Sequence, residues 1–363
     1  MKLIFVITGL GMGGAETQVC SLIDRLSAHG HDIFLLSLTG EGINKPKSST
    51  VKLIELRMHK TPLGVIQAYW QAVKFIRKFQ PDVVHSHMVH ANIFSRLLCL
   101  TSPIPRLICT AHSNNEGGKL RMLAYRLTDK LCDLTTNVSQ EAVDTFVSKK
   151  ATKPERIVAL YNGIDLVKFS FNPIARKRCR EELGLNNANQ TLLLAVGRFT
   201  EAKDYPNLLR AFAQLVKRQP NVKLAIIGKG ELSASIEALI EQLELKSYVV
   251  LLGLRFDVVD WMSAADLYVM SSAWEGMPMV LLEAMATERV VIATDCGGVR
   301  EVVGDYGYLV PSRDSEKLAN SIEQALALSP QERKTLGENA RKYVESRYSL
   351  SVVADKWLEI YQG

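Results

Sequence analysis

Two glutamates, Glu275 and Glu283, bracket a glycine and a proline in the segment Trp274-Glu275-Gly276-Met277-Pro278-Met279-Val280-Leu281-Leu282-Glu283. Proline suits the first position of a helix, where its missing N–H is an orphan anyway. The segment therefore predicts a helix starting near Pro278, after a strand at 267–270 and a loop. Glu275 then falls in the loop and Glu283 in the second helical turn. The free N–H groups of Met279, Val280 and Leu281 would face whatever lies in front of the helix, a natural place for a phosphate. A carboxylate on each side of a phosphate site suits a ligand with both phosphate and hydroxyl groups. A nucleotide sugar fits that description better than a simple phosphate.

Arg198 and Lys203 follow another predicted strand in Val196-Gly197-Arg198 and the residues after it. A strand-end Arg with a Lys five residues on can clamp a diphosphate from one side. Standing alone they would read as surface cations. Gly228-Lys229-Gly230 and Gly253-Leu254-Arg255 end the next two predicted strands and fall on the same rim. Backbone groups there can hold a base.

Gly9-Leu10-Gly11-Met12-Gly13-Gly14 satisfies G-x-G-x-x-G between a strand and a helix. A dinucleotide site also needs an acid at the end of the second strand to hold ribose. That strand ends Leu36-Ser37-Leu38, and Glu41 comes late. The glycines therefore read either as a loop whose bare backbone approaches a phosphate or acceptor, or as a tight strand–helix turn. All seven histidines lie within the first 112 residues, so any histidine chemistry belongs to the first half of the chain. His112 ends a predicted strand. His85, His87 and His90 hint at a metal, but no known ligand spacing is met and no acid accompanies them. They are expected to line a cleft on the acceptor side or to satisfy local hydrogen bonds.

Residues 118–131 mix Lys119, Arg121, Arg126 and Lys130 with Leu120, Met122, Leu123, Tyr125 and Leu127. Such a helix either lies on an anionic membrane or packs one face on the core and solvates the other.

These segments need a scaffold. The chain has 363 residues, 47% apolar and 23% charged, enough for two globular domains. The net charge of +6 fits an anionic ligand or acidic lipid heads and does not demand nucleic acid. Six scattered cysteines without C-x-x-C read as reduced thiols of a cytoplasmic protein. The apolar start feeds a Gly-rich turn and an amphipathic helix, so it reads as a first strand and not as a leader. No run is long enough to span a bilayer.

Short apolar runs alternate with helical stretches, the pattern of parallel α/β sheets. Strands are expected at 3–7, 33–38, 83–87, 107–110, 134–138 and 158–161. The turn Asn162-Gly163 and the segment Phe171-Asn172-Pro173 mark a break. A second series follows at 192–196, 224–227, 249–252, 267–270 and 290–294. Helices at 315–328, 330–346 and 349–362 close the chain. Two doubly wound domains should face each other, with ligand between the carboxyl ends of their strands.

Taken together, these residues resemble glycosyltransferase family 4. The matching motifs, in the family's order, are Gly13-Gly14-Ala15-Glu16, Asp82-Val83-Val84-His85-Ser86-His87, Asn162-Gly163-Ile164-Asp165, Val196-Gly197-Arg198 with Lys203, and Glu275…Glu283. The resemblance implies a GT-B fold. It implies an acceptor-side domain at 1–168, a donor-binding domain at 169–346, and a last helix at 347–363 crossing back onto the first.

By the same resemblance, Gly13 and Gly14 approach the donor phosphates and the acceptor, and Arg198 and Lys203 neutralise the diphosphate leaving group. Glu283 holds the nucleotide ribose, and Glu275 contacts the sugar hydroxyls. Met279, Val280 and Leu281 supply backbone donors. His112 stands beside the reacting sugar. Gly228, Arg255 and Phe256 belong to the base-side rim.

The implied reaction is retaining transfer of a hexose or N-acetylhexosamine, from UDP by family habit. The acceptor would be a lipid-linked or surface-polysaccharide glycan. No metal or other cofactor is called for, and the location would be cytoplasmic, with residues 119–130 as the candidate contact to the membrane's inner face. Met277-Pro278 departs from the family's usual Phe-Gly, which bears on the shape of the sugar pocket. The competing readings are an epimerase or phosphorylase of the same fold, a non-catalytic nucleotide-sugar-binding subunit, and a nicotinamide enzyme.

Overall fold

The computed structural model describes residues 1–11, 13–40, 42–113, 116, 118–185 and 190–363; Met12 and Glu41 lie outside the described residues. The chain divides into two compact units, Met1–Gly163 with Leu350–Gly363, and Ile164–Ser349. The breaks thus differ by a few residues from those expected after 168 and 346. The Ile164 N–H donates to the Tyr348 carbonyl at 2.7 Å, which ties both connecting segments to the second unit up to these points.

The first unit holds seven strands: β1 Lys2–Gly9, β2 Asp32–Thr39, β3 Lys52–Glu55, β4 Val83–His87, β5 Leu107–Ala111, β6 Leu134–Asn137 and β7 Ile157–Ala159. They form one parallel sheet in the order β3-β2-β1-β4-β5-β6-β7. Helices α1 Gly14–Ala28, α2 Pro62–Phe79, α3 Val89–Leu98, α4 Lys119–Thr128 and α5 Gln140–Ser148 connect them. The central strand β1 is buried from Leu3 to Ile7, as a parallel strand covered on both faces must be. Helix α1 turns Val19, Leu22, Ile23 and Leu26 inward at the spacing read from the sequence.

The second unit repeats the plan with β8 Thr191–Val196, β9 Val222–Ile227, β10 Val249–Gly253, β11 Leu267–Met270, β12 Val290–Asp295 and β13 Gly307–Pro311. The sheet order is β10-β9-β8-β11-β12-β13, again parallel. Its helices are α6 Pro173–Glu182, α7 Tyr205–Arg218, α8 Ser233–Gln242, α9 Val258–Ala264, α10 Met279–Ala286, α11 Val299–Val303, α12 Ser315–Ala327 and α13 Pro330–Tyr348. Strands β3 and β13 were not expected from the sequence. Both are edge strands, paired on one side only, so neither needs a long apolar run.

The last helix, α14 Leu350–Gln362, belongs to the first unit. Its Val353, Ala354, Trp357 and Tyr361 join the core formed by β1, β2 and α1. Gly163 makes the return possible, because a Cβ there would stand 3.0 Å from the Leu350 backbone. Among the described residues no helix is long and apolar enough to cross a membrane. None of the six cysteines is in a disulfide.

Trp357 is 4% exposed, so Trp357→Ala should cost about 3–5 kcal/mol. Urea unfolding checks this: an unchanged midpoint would mean that α14 does not contribute to the first core.

Candidate active site

In the second sheet the strand order reverses between β8 and β11. Loops leaving the carboxyl ends of such a pair diverge and open a crevice, the usual ligand position of doubly wound sheets. The loop after β8 carries Lys203 and the loop after β11 carries Glu275. There the Lys203 ammonium donates to Glu275 Oε1, and Ser272 Oγ donates to the same oxygen at 2.6 Å. Their side chains are 23% and 12% exposed, so the pair is largely withdrawn from water. Removing one partner would leave the other charge poorly compensated.

The two loops are tied directly. The Ala273 N–H donates to the Ala202 carbonyl at 2.8 Å, and Ser271 Oγ to the Lys203 carbonyl at 2.9 Å. From the other side, Thr294 Oγ1 donates to the Ser272 carbonyl at 2.5 Å. The Gly298 N–H donates to the Gly276 carbonyl at 3.0 Å. Gly297 has φ +58°, and a Cβ there would lie 2.0 Å from the Glu275 carbonyl oxygen. Only glycine fits both the backbone angle and the contact.

Helix α10 starts one residue later than expected, with Pro278 as its N-cap. The Leu281 N–H is not free, contrary to expectation: it closes a tight turn onto the Pro278 carbonyl at 3.0 Å. The amides of Met279 and Val280 remain as the unbonded donors of this helix start among the described residues. Glu283 lies one turn in and is partly buried. Burial pushes its carboxyl up to about 7, and Lys168 opposes the shift. Arg341 fixes the far end of α10 by donating to the Ala286 and Phe169 carbonyls.

Arg198 is exposed and only loosely paired with Glu231, at 3.9 Å. Its guanidinium is therefore available to an incoming anion. Gly228 has φ +154°, and a Cβ there would stand 1.9 Å from the Gly197 carbonyl oxygen. Arg255 is already paired. Its guanidinium is held by Asp257 at 2.8 Å and Glu182 at 3.2 Å, and lies over the Trp261 ring. That charge is matched by two partly exposed carboxylates, and the neighbouring Phe256 is 94% exposed at the β10 rim.

In the first unit the order reverses between β1 and β4. Gly13 precedes α1 in extended conformation, its carbonyl taken by the Thr17 N–H and hydroxyl, and Gly14 is exposed. His85 is a core residue, not an acceptor-side one. It is 1% exposed, with ring nitrogens bonded to the Tyr361 hydroxyl and Thr110 Oγ1, each at 2.7 Å. His87 is also buried, and its Nδ1 lies 3.2 Å from His112 Nε2. Of the three acceptor-side candidates only His90 is exposed.

His112 is partly exposed, and burial lowers its ring to about 4. Its backbone N–H donates to the buried carboxylate of Glu116 at 3.0 Å. Both imidazoles are thus neutral near pH 7, since burial also holds His87 well below its ordinary value.

Comparisons with known proteins give the family. The family described as Glycosyltransferase Family 4 matches residues 12–168, and the family Glycosyl transferases group 1 matches residues 177–343. The chain belongs to the group 1 glycosyltransferases.

It is similar to the amylovoran biosynthesis glycosyltransferase AmsD of Erwinia amylovora, 26% identical with 99% of each chain covered. It is also similar to the N-acetylgalactosamine-N,N'-diacetylbacillosaminyl-diphospho-undecaprenol 4-alpha-N-acetylgalactosaminyltransferase of Campylobacter jejuni, 26% identical with 90% of each covered. The crystal structure of Anabaena HepE in complex with UDP superposes with a TM-score of 0.84 at 21% identity, covering 100% of both chains. The fold of this glycosyltransferase is GT-B, with two doubly wound parallel-sheet domains.

Several supporting residues of the glycosyltransferase escaped the sequence reading. Ser272 and Thr294 hold the Glu275 loop, and Glu116 holds His112. The pair Ser271-Ser272 directly after an apolar strand was the available signal for the first. Glu116 carried none.

The Glu283 carboxyl implies a pH dependence of stability. Its folded value of about 7 lies above the ordinary 4.5, so the folded state holds the proton more tightly. Stability from this group is complete below pH 4.5, falls as pH rises toward 7, and is level above. The fall should be on the order of 2 kcal/mol. Glu283→Gln should remove that slope, measured as the urea midpoint of variant against wild type across this range.

Proposed function

We propose that this glycosyltransferase moves a hexose or N-acetylhexosamine from a UDP-sugar to a hydroxyl of a lipid-linked or surface-polysaccharide glycan, with retention of anomeric configuration. The observation that carries the reading is the Lys203–Glu275 pair at the β8/β11 reversal, with the free amides of α10 beside it. It sets cationic and hydrogen-bonding groups for a diphosphate next to a carboxylate for hydroxyls. UDP in the complex of the structural neighbour and the undecaprenol-linked substrate in the name of the Campylobacter relative support the donor and acceptor classes.

In this reading the donor diphosphate takes Lys203, Arg198 and the amides of Met279 and Val280. Glu283 accepts from the ribose hydroxyls and Glu275 from the sugar hydroxyls, while Phe256 and the backbone near Gly228 meet the base. Gly13 and Gly14 approach the donor phosphates and the acceptor, and His112 stands beside the reacting sugar.

The bond from the anomeric carbon to the diphosphate breaks as the acceptor oxygen bonds to that carbon from the same face. The acceptor's proton passes to the departing diphosphate oxygen. The protein's part is to stabilise the charge gathering on that diphosphate, a task for preorganised cations and amides. Glu275 already accepts from Lys203 and Ser272, which favours a hydroxyl-binding role over that of a covalent nucleophile. No metal is needed for this charge balance.

Helix α4 supports peripheral membrane contact. Met122 and Tyr125 turn inward, yet Leu120, Leu123 and Leu127 are exposed, 83% for the first and 76% for the last. They lie among Lys119, Arg121, Arg126 and Lys130. Exposed leucines framed by cations suit an anionic bilayer surface.

Transfer assays with a panel of UDP-sugars and undecaprenyl-diphosphate-linked acceptors test the reaction. Lys203→Ala should lower kcat about 10²–10³-fold, and Glu283→Ala should raise the donor KM about tenfold. EDTA should leave the rate unchanged, and NMR of the product should show the donor's anomeric configuration. Full turnover in both variants would overturn the site, and an inverted product the mechanism. Vesicle flotation tests the membrane contact: binding to phosphatidylglycerol but not to phosphatidylcholine vesicles is expected, and loss in a Leu120→Glu, Leu127→Glu double variant.

A further inference from the structure

His87 is buried with one of its two ring nitrogens unpaired among the described residues. It is 2% exposed, stacks parallel to Phe5 at 5.8 Å, and has the His85 ring 4.0 Å away. Its Nδ1 faces His112 Nε2 at 3.2 Å, and its Nε2 is buried with no hydrogen-bond partner among the described residues. We infer that His87 is a positioning residue that fixes His112 as its Nδ1–H tautomer, so that His112 meets its ligand as a hydrogen-bond donor and not as a base.

The surroundings allow few alternatives. The rings against His87 are Phe5, His85 and His112, and none of them is an anion, so a cationic His87 would be an uncompensated buried charge. With both rings neutral, each carries one proton, and the short nitrogen–nitrogen contact needs one donor and one acceptor. If His112 donated from Nε2, the His87 proton would sit on its Nε2, an orphaned buried N–H in an aromatic setting. Orphaned buried N–H groups are rarer in proteins than unmet acceptors. The other arrangement leaves only a bare ring nitrogen unpaired. His87 Nδ1–H then donates to His112 Nε2, and the His112 proton must reside on Nδ1.

The rest of the shell holds His112 in place without competing for that proton. Glu116 takes the backbone N–H of His112 and the Ser113 hydroxyl, and Arg121 donates to the Glu116 carbonyl at 2.7 Å. Nearby His90 is exposed and has its ring lowered by burial and by Arg121 and Lys60. Among the described residues His112 bonds through its ring at Nε2, which leaves the Nδ1–H for a ligand oxygen. The consequence for turnover rests on the reading of His112 as the residue beside the reacting sugar. The tautomer itself is a property of the unliganded protein.

The test is nitrogen NMR on full-length protein with ¹⁵N-labelled histidine, at neutral pH, with His112 assigned by His112→Gln. A protonated Nδ1 and bare Nε2 on His112, and the matching Nδ1–H on His87, are expected. A proton on His112 Nε2 would overturn the inference outright, even if the substituted proteins failed to fold. His87→Asn keeps an N–H donor near the Nδ1 position, whereas His87→Leu removes it. His87→Leu should mix the His112 tautomers and lower kcat about tenfold with little change in donor KM, and His87→Asn should restore most of both. An unmixed tautomer in His87→Leu would also count against the role. If wild type shows the expected tautomer but transfers no sugar, the tautomer stands and the proposed reaction fails.

Discussion

The ion pair between Lys203 and Glu275 is the constraint on which the second domain's site depends. Two opposite charges largely withdrawn from water are stable only if their geometry is kept and their remaining hydrogen-bonding capacity is met. The surrounding structure does both. Ser272 bonds the shared oxygen, Thr294 and Gly298 hold the backbone of the Glu275 loop, and Gly297 lets that backbone approach closely. The loops can be so close because their parent strands, β8 and β11, are neighbours in the sheet although far apart in sequence. The pair is thus a product of topology as much as of charge.

Desolvation is the second organising effect, and it acts on the two domains in the same direction. It raises the Glu283 carboxyl and lowers the His87 and His112 rings, favouring the neutral form of each. Arg198, by contrast, stays exposed beside Glu231, where its charge costs little. The fixed charge beside α10 is therefore a matched pair, and the unmatched one is held in water. Arg198 and the α10 amides are thus the groups not committed to the buried pair.

Much of this was legible in the sequence. Alternating apolar runs gave the central strands of both sheets, because strands buried on both faces have no freedom to be polar. Glu275, Glu283, Lys203 and Pro278 could be placed near strand ends and a helix start from spacing alone. Of the four edge strands, β7 and β10 were legible as short apolar runs and β3 and β13 were not, since one-sided pairing permits an apolar run without demanding one. Leu281 was misjudged because a tightened first turn is set by the local dihedral angles and not by residue type. The pairing of Arg255 is only half local: Asp257 stands two residues on, whereas Glu182 and Trp261 come from α6 and α9 and meet it only in the fold.

The amino-acid sequence by itself determined the fold class, the break between the two domains to within a few residues, and the residue types able to bind a phosphorylated, hydroxyl-rich ligand. These follow from local rules: periodicity, turn chemistry and the supply of charged and backbone groups. Only the tertiary structure decided which charges are paired, which helix amides are free, and which histidines are structural. It buried His85 between Thr110 and Tyr361, a residue from the opposite end of the chain, and left His112 at the surface with His87 behind it. Burial and partnering depend on contacts between segments far apart in sequence, and those contacts fix the protonation and hydrogen-bonding state of each group.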